Sequence, residues 1–151
     1  MTQYDIQIHS VPARHLAVVR RWLQWAELGN NLIPLLDRVY IQVHAGRVIQ
    51  QGQNVFVYRD ATKEGVTVEI GVEVSGPFDD VEDVVYASTP AGEVASLLHI
   101  GPYTKLGKAY DALVQWCDEL QRPRANIYWE VYGDWDADPA ELETEVFYLL
   151  Q

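Results

Sequence analysis

Val11-Pro12-Ala13-Arg14-His15-Leu16-Ala17 is echoed 78 residues later by Thr89-Pro90-Ala91-Gly92-Glu93-Val94-Ala95. Phe56-Val57-Tyr58-Arg59-Asp60 is echoed 74 residues later by Glu130-Val131-Tyr132-Gly133-Asp134. Two echoes in the same order, at nearly equal offsets, read as a duplication. The repeat also decides an ambiguous stretch. Leu16, Val19, Leu23 and Ala26 have helical spacing, yet Ala17-Val18-Val19 suits a strand, and matching it to the second half favours the strand. Each half then reads strand, helix, strand, strand. The fold expected is α+β: a duplicated β-α-β-β unit, one domain over 1–151, with pseudo-twofold halves at about 1–76 and 82–151. A central ligand cleft is expected between the halves, because such a junction is a natural concavity. The helices are expected on the side away from that cleft.

Outward from the repeat, alternation of apolar and polar residues marks the other strands. Val66-Thr67-Val68-Glu69-Ile70-Gly71-Val72-Glu73-Val74 is the clearest, with one continuous β-branched face. Tyr4-Asp5-Ile6-Gln7-Ile8-His9 and residues 54–60, 93–100, 126–132 and 144–150 complete the set. Leu32, Leu35, Leu36, Val39 and Val43 place a helix over 31–45, capped by Asn30 or Asn31, with Pro34 in its first turn and Gly46 at its end. Leu106, Tyr110, Leu113, Cys117 and Leu120 place a second helix over 104–120. Trp22 and Trp25, near the first helix, read equally as core or as cleft wall.

Composition narrows the function. The chain of 151 residues carries 22 acidic and 11 basic residues, a net charge of −11. That surface repels phosphate backbones and anionic lipid, so neither direct nucleic-acid binding nor a membrane partner is expected. Nine Tyr and five Trp supply aromatic surface. A single cysteine, Cys117, forms no internal disulfide and reads as a packed thiol. Met1-Thr2-Gln3-Tyr4-Asp5 has neither a basic nor an apolar leader character, and no run reaches the ~18 apolar residues of a membrane span, so a cytoplasmic location is expected.

The chemistry concentrates in Asn126-Ile127-Tyr128-Trp129-Glu130-Val131-Tyr132. Period-two alternation puts Tyr128, Glu130 and Tyr132 on one face and Ile127, Trp129 and Val131 on the other. A carboxylate between tyrosines in an apolar strand is costly if buried unpaired. The same groups suit a cation, to which the carboxylate offers charge and the rings their negative faces. The repeat has Phe56 where the second half has Glu130, so only one half carries the charge. The competing reading is an edge-strand glutamate facing water or paired with Arg14 or Lys105.

His99-Ile100-Gly101-Pro102-Tyr103 leading into a helix resembles the "H-x-G-P-Y" signature of GyrI-like small-molecule-binding domains. Residues 126–132 resemble the family's "E-V-Y" strand, and Thr144-Glu145-Val146-Phe147-Tyr148-Leu149 its closing "T-E-[VI]-[YF]" strand. Pro90-Ala91-Gly92 and Val68-Glu69-Ile70-Gly71-Val72 also stand where the family has such segments. The resemblance covers essentially the whole chain. The family includes gyrase-inhibitor-like proteins and the effector-binding domains of MerR-type and AraC-type regulators. It implies a duplicated β-α-β-β fold with an aromatic cleft, in which the "E-V-Y" glutamate, here Glu130, meets the ligand's positive charge. The closing-strand glutamate and aromatic correspond to Glu145 and Phe147, the latter lacking the hydroxyl of the Tyr found in many members. No helix-turn-helix is visible.

The expected function is therefore the binding of a small organic ligand, cationic or aromatic and drug-like, to sequester or sense it. Glu130 is the charge partner, and Tyr103, Tyr128, Tyr132, Trp129, Glu145 and Phe147 are candidate contacts. Two alternatives stand beside it. One is a hydrolase of cyclopropanoid-type electrophiles with Glu130 as general base, which the resemblance also implies. The other is a protein-directed topoisomerase inhibitor or regulator. No cofactor or metal is expected. Asp134, Asp136, Asp138 and Glu145 have the acidic spacing of a calcium loop, but Pro139 stands where that loop needs Gly. His9, His15, His44 and His99 show no ligand spacing, and no triad, phosphate loop or dinucleotide fingerprint is present.

Overall fold

A computed structural model describes residues 4–151 of the chain; residues 1–3, part of the N-terminal stretch read above, lie outside it. Ten principal elements follow one another: β1 (Gln7–Val11), β2 (His15–Gln24), α1 (Trp25–His44), β3 (Asn54–Arg59), β4 (Gly65–Glu73), β5 (Val85–Ser88), β6 (Gly92–Ile100), α2 (Leu106–Glu119), β7 (Arg124–Tyr132) and β8 (Glu143–Leu150). The eight strands form one sheet in the order β1-β6-β8-β7-β3-β4-β2-β5. Every pairing between neighbours is antiparallel.

The sheet order reads the same from both ends once β1 is matched with β5, β6 with β2, β8 with β4 and β7 with β3. Each half thus carries one strand more than the strand-helix-strand-strand pattern, and that leading strand is exchanged. β1 docks on β6 of the second half, and β5 docks on β2 of the first. The register confirms the symmetry residue by residue. In the central β3·β7 pair Phe56 stands opposite Glu130, its own repeat equivalent, so the pseudo-twofold axis passes between those two residues. The segment at 15–20 is strand, as the repeat requires. β5 escaped sequence reading because four residues are too few to show alternation.

Helix α1 starts six residues before the position expected. Gln24 is the cap, and its backbone N–H donates to the Glu27 side chain at 2.9 Å, so the helix begins at Trp25 rather than after Asn30 or Asn31. Pro34 consequently sits in the helix interior. The carbonyl it leaves without an N–H partner belongs to Asn30, which is exposed to water, and Asn31 Nδ2 donates to the Glu27 carbonyl at 2.6 Å one turn back. The C-terminal end is as expected, with Gly46 at φ +76° beyond the last turn.

Alternation sorts the sheet into two faces. One face presents Ala17, Val19, Phe56, Tyr58, Val68 and Ile70 to Leu35, Leu36 and Val39 of α1. It also presents Ala95, Leu97 and Val146 to Leu106, Ala109, Leu113 and Cys117 of α2. Both helices therefore lie on the face that carries Tyr128, Glu130 and Tyr132. The expectation that they lie away from the cleft is overturned: they flank it, because the apolar stripes of both helices pack on the sheet face that carries Glu130.

The other face has no helix, yet Leu16, Val18, Val55, Val57 and Val94 are fully buried there. The sheet curls over this second core. Arg59 of β3 reaches the Ser88 carbonyl of β5 at 2.8 Å, across two intervening strands. Arg14, before β2, lies over the Phe147 ring of β8 at 5.7 Å. Gly71 permits the tight wrap, since a Cβ there would stand 1.7 Å from the Ala17 carbonyl oxygen of the paired strand.

Candidate ligand-binding site

Glu130 projects from β7 on the helix-bearing face and is 4% exposed. Three tyrosine hydroxyls donate to its carboxylate. Tyr58 and Tyr132 reach Oε1 at 3.1 and 2.5 Å, and Tyr110 of α2 reaches Oε2 at 2.6 Å. Burial pushes the Glu130 carboxyl above its ordinary range, and the hydrogen bonds from Tyr110, Tyr132 and Tyr58 pull it back in part. The hydroxyls move the opposite way. Tyr58, Tyr110 and Tyr132 are all held well above the usual phenol value, first by burial and then by the Glu130 charge. They remain protonated and serve as fixed donors.

A second buried carboxylate makes the contrast plain. Glu69 is 1% exposed, on the helix-free face, and its two oxygens take Arg20 and Arg59 at 2.6 Å each. Glu130 has no Arg, Lys or His partner among the described residues; Arg14 pairs with Glu73 instead. A buried carboxylate met by hydroxyl dipoles alone has no opposite charge to compensate it, whereas one met by two guanidiniums does.

Aromatic rings enclose the carboxylate. Tyr128 stacks on Tyr58 at 5.0 Å and packs against Tyr148 at 4.9 Å, with the edge of Tyr110 at 5.3 Å. Burial, then Tyr148 and Glu130, push the Tyr128 hydroxyl up to about 12. Tyr132 meets Phe56 at 4.8 Å and Tyr103 at 5.3 Å, both edge-on. Beyond Tyr132 opens a cavity of about 520 Å³ between α1 and the sheet. Leu32, Ile33, Leu36 and Tyr40 of α1 form one wall, Phe56, Tyr103 and Tyr132 the other, and Gln53, Asp134 and Trp135 the mouth. Tyr132 thus has its ring in the cavity wall and its hydroxyl on Glu130.

The residues expected at the site divide into three groups. Tyr128, Glu130 and Tyr132 share one face, as alternation requires. Tyr103 and Tyr132 line the cavity, while Glu130 and Tyr128 lie behind that wall. Trp129, Phe147 and Glu145 are not brought to Glu130. Trp129 and Phe147 stack on each other at 5.5 Å in the helix-free core, and Glu145 is exposed beside Leu98 and Val131 on that same far face. Their parity along β7 and β8 is opposite to that of Glu130, which is the physical reason. Trp22 and Trp25 are partly exposed and do not line the cavity; Trp25 Nε1 donates to the Thr62 carbonyl.

Two functional tyrosines escaped the sequence reading. Tyr58 was within reach, since the repeat aligns it with Tyr132. Tyr110 was read as part of a core stripe. Yet α1 and α2 also align at the 74-residue offset, with Leu36 falling on Tyr110 and Val39 on Leu113. Phe56 with Leu36 in one half becomes Glu130 with Tyr110 in the other, a coupled exchange of an apolar pair for a polar one. His99 fixes the turn after β6: Tyr4 Oη lies 2.8 Å from Nδ1 and the Pro102 carbonyl 3.1 Å from Nε2, which sets the start of the turn bearing Tyr103. Among the described residues no group of three or more His, Cys, Asp or Glu is gathered as a metal site, and no helix is long and apolar enough to cross a membrane.

The model of the GyrI-like small molecule binding domain matches residues 4–150, and the chain belongs to that family. No curated protein matches the sequence. Among solved structures it is similar to the C-terminal domain of EcmrR, at TM-score 0.78 and 20% identity over 99% of both chains. It spans 57% of the EcmrR chain in that protein's complex with DNA. It is also similar to SAV2435 bound to tetraphenylphosphonium, at TM-score 0.71 and 11% identity over 97% of this chain and 94% of that one. A hydrolase encoded by lin2189 from Listeria innocua superimposes at TM-score 0.60 and 10% identity, over 97% and 91% of the two chains. At these identities the likeness is one of fold.

Proposed function

We propose that this chain binds a lipophilic organic cation in the cavity between α1 and the sheet, with Glu130 as the charge partner. The observation that carries the reading is the buried carboxylate held by three tyrosine hydroxyls and no cationic side chain. The arrangement occurs in one half only, where Glu130 stands at the position equivalent to Phe56. SAV2435, of the same fold, was solved with tetraphenylphosphonium, a cation of this chemical class. Tyr132 links cavity to carboxylate: displacement of its hydroxyl exposes Oε1 to the ligand while the rings of Phe56, Tyr103 and Tyr132 supply cation–π surface, about 0.5–2 kcal/mol per contact. A chain of this kind senses or sequesters its ligand.

Titration calorimetry with tetraphenylphosphonium and with neutral triphenylphosphine oxide tests the reading. A charge-assisted contact of about 1.5–3 kcal/mol predicts a preference for the cation of roughly tenfold or more. Glu130→Gln keeps the shape and is expected to erase most of that preference. Equal affinity for both compounds, unchanged by the substitution, would reduce the site to an apolar cleft.

A further inference from the structure

We infer that the ligand class is a bis-cation, an elongated molecule with one positive charge at Glu130 and a second at Asp134; the inference rests on the reading of Glu130 given above. The end of β7 and the residues after it, Tyr132 to Trp135, line the cavity. Glu130, Tyr132 and Asp134 share one parity, and the β7·β8 ladder continues past Tyr132 through the Gly133 N–H, which donates to the Glu143 carbonyl at 2.9 Å. The same face thus extends from the buried carboxylate to the mouth. Asp134 lines that mouth beside Trp135, which is 77% exposed.

The charge distribution around the cavity has one sign. Of the residues that line it, none is Lys, Arg or His, and Asp134 is the one that is charged. Asp134 accepts a hydrogen bond from Gln53 Nε2 at 3.2 Å and forms no ion pair among the described residues. A single carboxylate suffices for a monocation. Here a second one stands among the residues lining the cavity, which Tyr132 joins to Glu130 through its hydroxyl, and Trp135 next to it offers a second ammonium face. Four residue steps of extended chain lead from one acid to the other, about 13 Å between their Cα atoms at roughly 3.3 Å per residue. Tyr132, Phe56 and Tyr103 line the cavity as an apolar wall, which suits an alkyl or aryl spacer. A compact monocation leaves the outer half unused.

The test uses the full chain and defined probes: decyltrimethylammonium, and α,ω-bis(trimethylammonium) alkanes with four and ten methylenes. Affinities are measured by calorimetry at low salt on wild type, Asp134→Asn and Glu130→Gln. Asp134→Asn is expected to weaken the ten-methylene bis-cation about fivefold and the monocation hardly at all, a difference that collapses in 0.5 M salt because the outer pair is exposed. The four-methylene compound, too short to span, is expected to be insensitive to Asp134. Glu130→Gln is expected to weaken all three. An equal effect of Asp134→Asn on mono- and bis-cation, or none on either, overturns the two-charge inference while leaving Glu130 as charge partner. If Glu130→Gln weakens neither class, or if no ammonium probe binds at millimolar concentration, the charge-partner reading fails and the inference with it.

Discussion

Replacing Glu130 with Gln should make the protein more stable at neutral pH, and the reason lies in the balance around that carboxylate. Burial raises its pKa above the unfolded value, more than the three tyrosine hydrogen bonds lower it. The folded chain therefore holds the Glu130 proton more tightly than the unfolded chain does. For a group shifted in this direction, stability is fully present below the unfolded pKa, near 4.5, and is lost as pH rises through the folded one. At pH 7.5 the wild type carries the whole cost of a buried charge with no cation beside it. Each tenfold weakening of the acid corresponds to about 1.4 kcal/mol. In a chain of this size about 1 kcal/mol moves Tm by roughly 2–4 °C. Glu130→Gln is thus expected to melt above wild type at pH 7.5, with a gap that shrinks toward zero near pH 4.5. Thermal melts of both proteins across that range read it, and their difference cancels the other carboxylates. A variant less stable than wild type at pH 7.5, with a gap that does not change with pH, would refute the reasoning.

Two further outcomes follow from neighbouring groups. Tyr110→Phe removes the 2.6 Å donor to Oε2 and so raises the Glu130 pKa further. It is expected to cost about 1.5–3 kcal/mol at pH 7.5, less at pH 4.5, and to move the acid limit of cation binding to higher pH, readable by melts and by titration at several pH values. Glu69→Gln leaves Arg20 and Arg59 without their shared carboxylate. Because Arg20 is half exposed and Arg59 about a third, the loss in urea unfolding is expected at about 1–2 kcal/mol, below that of a fully buried pair, with cation affinity unchanged.

Much of this architecture was legible in the residues, and what was not has identifiable causes. The duplication settled a strand at 15–20, within the observed His15–Gln24, against its helical spacing, and alternation placed Tyr128, Glu130 and Tyr132 together. Parity places Trp129 on the other face, against its inclusion among the candidate contacts, and the same rule applied to β8 places Phe147 and Glu145 there, which had been joined to the site by resemblance alone. The start of α1 was misplaced because Asn30, Asn31 and Pro34 imitate a cap and first turn, while the Gln24–Glu27 pair that opens the helix lies further back. Which face the helices cover does not follow from strand alternation when both faces of the sheet are apolar, as Val55 and Val57 alternating with Phe56 and Tyr58 make them here. The depth of Glu130 behind Tyr132 depends on rotamers and on a hydroxyl from α2, neither of which is encoded in spacing along one strand.

The central claim, that an ionised Glu130 receives the positive charge of the ligand, is met most directly by counting protons on binding. A cation beside the carboxylate lowers its pKa, so the fraction protonated in the free protein is released when the ligand enters. Calorimetric titration of tetraphenylphosphonium in buffers of different ionisation enthalpy, stepped from pH 7.5 down to 4.5, measures that release. The account predicts proton release that grows as pH falls toward the raised pKa of free Glu130, accompanied by weakening affinity. It predicts none for triphenylphosphine oxide and none in Glu130→Gln. Cation binding without proton release anywhere in that range, or with the same release in Glu130→Gln, would contradict it.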